Sequence, residues 1–183
     1  DVVEAQRRAP KVLIFSTWNE VLELLSRVLT GKSISHRRLV GRSLKAVRTA
    51  VDSFRSDPEV AALLLPFASG SNGLNLTEAS HVFLVEPTFN AAVEAQAVGR
   101  VHRIGQTAAE TVVHRFVVDD SVEVGIMALR GLNQPGAAGS TGKGFVPPAH
   151  SAHQKDAFSL ADMEALFSLP AASLNEGSPE EQR

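Results

Sequence analysis

KVLIFSTWNEVLELLSRVLTG, residues 11–31, is a stretch in which the hydrophobic period changes once, from that of a strand to that of a helix. Residues 11–15 are a short apolar run that ends in Ser16-Thr17, the pattern of a buried strand feeding a turn. Beyond the turn Val21, Leu24, Leu25 and Val28 recur at helical spacing. Thr17 and Glu20 have the spacing of a capping box, and Gly31 stands where a helix would stop.

The same alternation continues along the chain. A polar, basic segment over residues 36–43 leads into a second helix predicted over 43–54, with Leu44, Val47, Val51 and Phe54 on one face, and Asp57-Pro58 ends it. Further strands are predicted over residues 60–65, 81–85 and 111–118, and a helix over about 90–101. Strands alternating with helices argue for βαβ units, hence an α/β fold with a mostly parallel central sheet and helices on both faces. In such folds ligands sit beyond the carboxyl ends of the strands. The turns at Ser16-Thr17, at residues 69–75 and at residues 86–90 all follow strands, and so should line one edge.

Ser121 is a plausible N-cap for a short helix to about Arg130, which closes a domain expected to span residues 1–130. Residues 131–155 are rich in Gly, Ala, Ser and Pro and read as a flexible linker. Residues 156–169 are amphipathic, with Phe158, Leu160, Met163, Leu166 and Phe167 apolar, and predict a docking helix. Residues 170–183 read as a disordered tail.

The 183 residues carry a net charge of −2, so no global basic field announces nucleic acid, and any such contact must come from a local patch. Cysteine is absent, which excludes disulfides and cysteine-ligated metal, and the six histidines show no metal spacing. No apolar stretch approaches the ~18 residues of a membrane span. Asp1 in place of an initiating Met makes the chain read as a piece of something longer.

The densest chemistry lies in QAVGRVHRIGQT, residues 96–107, where Gln96, Gly99, Arg100 and Arg103 form Q-x-x-G-R-x-x-R. On a helix the two arginines share a face, so both guanidiniums can converge on one phosphate, and Gln96 lies one turn before Arg100, placed to orient it. The bland reading is a basic helix end that complements the helix dipole. Residues 69–76, SGSNGLNL, follow a strand and contain residues that permit tight turns and expose backbone N–H groups to phosphate; the bland reading is an ordinary connection. Gly139 to Gly144 is a decoy. A phosphate-binding loop of the G-x-x-x-x-G-K-[ST] type needs Gly where Ala137 stands and Ser or Thr where Gly144 stands, so no such loop is present.

QAVGRVHRIGQ is similar to the last helicase motif of the Swi/Snf-type DNA translocases, and Gly99, where most of that family has an acidic residue, resembles the SHPRH branch. Over residues 10–130 the motif order agrees. FSTW, residues 15–18, is similar to the first motif of this lobe, in which a strand end meets DNA phosphate. Residues 69–76 resemble Ala-Gly-Gly-x-Gly-x-Asn-Leu through Gly70, Gly73, Asn75 and Leu76, with Ser71 replacing a glycine and Phe67 replacing a hydroxyl residue. Arg38-Leu39-Val40-Gly41 looks like the family's Arg-Leu-Asp-Gly with Val40 in place of the acid, and Glu86 stands where Asp is commoner.

The resemblance implies a RecA-like three-layer αβα lobe, the C-terminal one of two. It implies Arg100 and Arg103 as catalytic arginine fingers, with Gln96, Gly73, Asn75 and Glu86 on the ATP side and Ser16, Thr17, Ser69, Gly70 and Arg38 on nucleic acid. ATP with Mg²⁺ would be held mainly by an N-terminal lobe of the same protein, and this lobe alone would be inactive. Expected partners are that lobe, double-stranded DNA or chromatin, and a ubiquitin-conjugating enzyme through a RING module outside this chain, in the nucleus and without a membrane. Two other readings stand beside this one: a strand-separating RNA or DNA helicase lobe, and a degenerate, non-hydrolysing nucleic-acid or protein-binding module.

Overall fold

The structure is a computed structural model that describes residues 10–39, 43–72, 74–106, 108–130 and 166. Its contacts divide the chain into two compact units, Asp1–Phe116 and Val117–Arg183. The expected linker, the tail and all of the 156–169 segment except Leu166 lie outside the described residues, as do Val40, Gly41 and Gly73.

The first unit runs β1 (Lys11–Ser16), α1 (Asn19–Gly31), β2 (His36–Arg38), α2 (Leu44–Ser56), β3 (Ala62–Pro66), a 3-10 turn (Phe67–Asn72), β4 (Ala79–Leu84), α3 (Ala91–Val98) and β5 (Val112–Arg115). The five strands are ordered β2-β3-β1-β4-β5 and every pair is parallel. Because side chains alternate across a strand, β1 serves two layers. Leu13 and Phe15 join Leu63, Leu65, Val82 and Leu84 beneath Val47, Val51 and Phe54 of α2 and Ala97 and Val98 of α3. Val12 and Ile14 face the other way, with Ala62 and Leu64, against Leu22, Leu25 and Leu29 of α1. The expected RecA-like three-layer arrangement is therefore present, its continuous apolar strands buried on both faces as in other parallel sheets. Lys11 ties the layers at their base: its ammonium donates to the carbonyls of Phe54 and Asp57 (2.7 Å for the latter), at the C-terminal end of α2.

Four details differ from the sequence reading. His36-Arg37-Arg38 is a strand, paired with Ala62, Leu63 and Leu64, although its sequence is polar and basic. It is a three-residue edge strand whose side chains are engaged laterally, Arg37 Nε with Ser53 Oγ at 2.9 Å and His36 Nε2 with Ser26 Oγ at 2.7 Å. The Thr17–Glu20 capping box does not form: Trp18 is the N-cap of α1 and no side chain caps it. The apolar face of α1 is turned so that Leu22 is its buried residue, while Leu24 and Val28 are half exposed. Finally α3 ends at Val98 with Gly99 as its C-cap, three residues earlier than expected.

In the second unit α4 (Val122–Leu129) starts at Ser121, whose hydroxyl accepts from the Glu123 N–H at 3.1 Å as an N-cap should. A Cβ at Gly125 would stand 3.0 Å from Leu166 Cδ2 and 3.2 Å from the Leu166 carbonyl oxygen, so glycine is what lets the chain at Leu166 lie against this helix. No described helix is long and apolar enough to cross a membrane.

Candidate functional site

The strand order reverses between β1 and β4. From β1 the chain leaves through α1 on one face of the sheet, and from β4 it leaves through α3 on the other. That divergence opens a crevice beyond the carboxyl ends of the two strands, the position where open α/β sheets bind ligands. Ser16 ends β1 and Thr17 follows it, and Glu86 follows β4, at this crevice.

The three residues meet there. The Glu86 carboxylate accepts through Oε1 from the Ser16 hydroxyl at 3.2 Å and from the Thr17 backbone N–H. Ser16 is fully buried, and its Oγ also accepts from the Trp18 N–H at 3.0 Å; Thr17 is exposed. Glu86, expected on the ATP side, thus accepts from the two residues of the turn expected to meet nucleic acid.

The next loop is held from two sides. Ser69 closes onto the Pro66 carbonyl at 2.6 Å, within the 3-10 turn that also contains Gly70. Arg55, at the end of α2, donates to the carbonyl of exposed Asn75 and pairs with Glu78 at 3.4 Å. Leu76 donates its N–H to the Arg100 carbonyl at 3.0 Å, and Arg100 Nη1 donates to the Leu74 carbonyl at 3.3 Å. The loop after β3 and the arginine motif are thereby one hydrogen-bonded assembly.

Arg100 and Arg103 lie beyond the end of α3, in the turns that follow it, rather than on one helix face as expected. Arg100 is 7% exposed and its Nε has no hydrogen-bond partner among the described residues. Burial, and then the neighbouring Arg103 cation, pull its guanidinium below the ordinary arginine pKa. Arg103 is exposed and donates from Nε to the Gly99 carbonyl at 2.9 Å. Gln96 is exposed, and the Arg100 guanidinium turns to Leu74 instead of to it. A buried, underpaired cation with a second cation beside it is a place where an anion would relieve both desolvation and repulsion. Arg38 is 24% exposed and reaches Glu23 of α1 at 4.0 Å.

Two supporting residues were not singled out as site residues by sequence. Gln106 donates from Nε2 to the carbonyls of Ala79 (2.8 Å) and Val101 (3.2 Å) and accepts from the Ala108 N–H (2.9 Å), fastening the turn behind Arg103 to the start of β4. Glu94 is 1% exposed; it pairs with Arg115 Nε at 3.0 Å and accepts from the Thr88 N–H at 3.0 Å. The signal was a lone acid in the apolar run of α3. Among the described residues no group of three His, Asp or Glu could hold a metal ion.

Comparison with known proteins places this architecture. The family described as helicase conserved C-terminal domain matches residues 1–105. The chain is 38% identical over 175 residues to the human E3 ubiquitin-protein ligase SHPRH, covering 94% of this chain and 10% of that protein. It is 40% identical over 114 residues to the DNA repair protein rad8 of Schizosaccharomyces pombe, covering 62% of this chain and 10% of that one. The crystal structure of the C-terminal part of the Fun30 ATPase domain superposes with a TM-score of 0.63 at 32% identity, covering 70% of this chain and 40% of that one. The chain thus spans about a tenth of the length of these curated relatives. It belongs to the helicase conserved C-terminal domain family, as a RecA-like lobe of the Swi/Snf-type, SHPRH-like kind.

Proposed function

We propose that this lobe completes the ATP site of a DNA-dependent ATPase and translocase, supplying Arg100 and Arg103 to nucleotide held mainly by a preceding RecA-like lobe. The observation that carries the reading is Arg100, a guanidinium 7% exposed whose Nε has no partner among the described residues and which lies beside a second arginine. Guanidiniums placed where charge develops on a phosphoryl group accelerate its transfer by about 10³–10⁵. The residues fit the phosphate end of ATP, while Mg²⁺ would be held by the other lobe. Gln96, Gly73 and Asn75 belong to the nucleotide side in this reading. Ser16, Thr17, Ser69, Gly70 and Arg38 grip the DNA backbone, and closing and opening of the two lobes moves the grip along it.

For the whole protein, the names of its relatives support work in DNA repair and transfer of ubiquitin; in this reading that work is done on chromatin in the nucleus. A RING module for that transfer lies outside this chain, which has no cysteine. The test is DNA-stimulated ATP hydrolysis by the complete protein, wild type against Arg103→Ala. A fall of about 100-fold or more in turnover with ATP binding retained is the expected result. Unchanged turnover would remove the finger role and leave a binding module.

A further inference from the structure

We propose that Glu86 is a resident occupant of the phosphate position at the β1–α1 turn, a carboxylate that a DNA backbone phosphate must displace. The inference rests on the DNA grip proposed above and deepens it. Thr17 N–H and Ser16 Oγ–H are the donors a phosphate oxygen would use there, and Glu86 Oε1 already accepts from both. Carboxylate and phosphate oxygens compete for such donors on equal chemical terms.

Three further observations agree. The contact lies in the crevice between the diverging ends of β1 and β4. The 13-residue α1 begins two residues beyond Thr17 with no side-chain cap, so the positive end of its dipole lies near the carboxylate. Glu86 is half-buried, yet among the described residues it has no ion pair; N–H and O–H donors alone hold it.

The displaced residue would also carry a message. Glu86 opens the connection to α3, and the same connection is fastened at Thr88, whose N–H donates to Glu94 of α3 at 3.0 Å. That helix ends at Val98, two residues before Arg100. Phosphate arriving at the turn thus releases one end of a loop whose other end is bonded to the helix that presents the arginines.

The test is equilibrium binding of a labelled duplex DNA to the complete protein without nucleotide, for wild type, Glu86→Gln, Glu86→Asp, Arg38→Ala and Ser69→Ala. Glu86→Gln keeps an acceptor for Ser16 and Thr17 but loses the charge. It should bind DNA on the order of fivefold tighter, the effect of removing one like-charge contact at about 4 Å in water. Glu86→Asp, one methylene shorter, should retract from Thr17 and bind tighter by less; it serves also if Glu86→Gln fails to fold. Unchanged or weaker binding in both, with Arg38→Ala and Ser69→Ala weakening it, overturns the competitor and leaves the grip standing. If those two variants leave binding unchanged as well, the grip is wrong and the competitor falls with it.

Discussion

Arg100 Nη1 donates to the carbonyl of Leu74 at 3.3 Å, so the arginine expected to meet nucleotide is fastened to the loop that carries residues expected on both sides, Ser69 and Gly70 on DNA and Gly73 and Asn75 on nucleotide. The bond is long and the guanidinium Nε beside it has no partner among the described residues, which leaves Arg100 poorly compensated for its burial.

That imbalance predicts opposite effects on fold and function. Arg100→Met removes a desolvated cation and its repulsion with Arg103, and should raise stability by about 1 kcal/mol while abolishing DNA-stimulated turnover. Arg103→Ala, at an exposed position, should leave stability within about 0.5 kcal/mol. Urea unfolding of both variants decides the point; a large loss for Arg100→Met would mean that the Leu74 contact dominates.

Glu94→Ala should be among the more costly substitutions in the first unit. It removes the carboxylate, 1% exposed, that accepts from Thr88 N–H and pairs with Arg115, leaving both donors short of a partner. Arg115 is 28% exposed and recovers some hydration, so the expected loss is about 2–3 kcal/mol rather than the full cost of an orphaned buried ion. Denaturant midpoints compared with Glu94→Gln would read it, the amide retaining part of the stability.

Lys11→Met keeps most of the aliphatic stem and deletes the ammonium that donates to the Phe54 and Asp57 carbonyls. Charge-assisted bonds to a helix C-terminus suggest a loss of about 1–2 kcal/mol. Amide hydrogen exchange should show the last turn of α2 opening more readily; equal protection in both proteins would count against the tie.

Gly125→Ala places a methyl 3.0 Å from Leu166 Cδ2 and 3.2 Å from the Leu166 carbonyl. The side chain can give way but the backbone oxygen cannot, so the contact should loosen at a cost of about 1–3 kcal/mol. Faster hydrogen exchange at Leu166 in the variant is the expected signature, and unaltered exchange would refute the close approach.

The RecA-like layering was legible because it follows from local periods. Residues 12–15 are apolar without interruption, as a doubly buried parallel strand must be, and Val47, Val51 and Phe54 mark the buried side of α2. What hid β2 was its polarity: His36, Arg37 and Arg38 are held by Ser26, Ser53 and Glu23, partners that only packing supplies. For the same reason Thr17 was assigned a cap it does not make, since the group that takes its N–H is 69 residues away in Glu86.

By itself, then, the sequence determined the alternation of strands and helices apart from β2, the absence of a G-x-x-x-x-G-K-[ST] loop and the closeness of Arg100 to Arg103, because these depend on neighbours along the chain. Only the tertiary structure decided that Glu86 faces Ser16 and Thr17, that Glu94 rather than Glu86 takes an arginine, and that Arg100 is buried while Arg103 is exposed. Those outcomes depend on where two strand ends diverge and which polar groups burial forces to find partners, and the energy of a buried charge is set by everything around it rather than by its place in the chain.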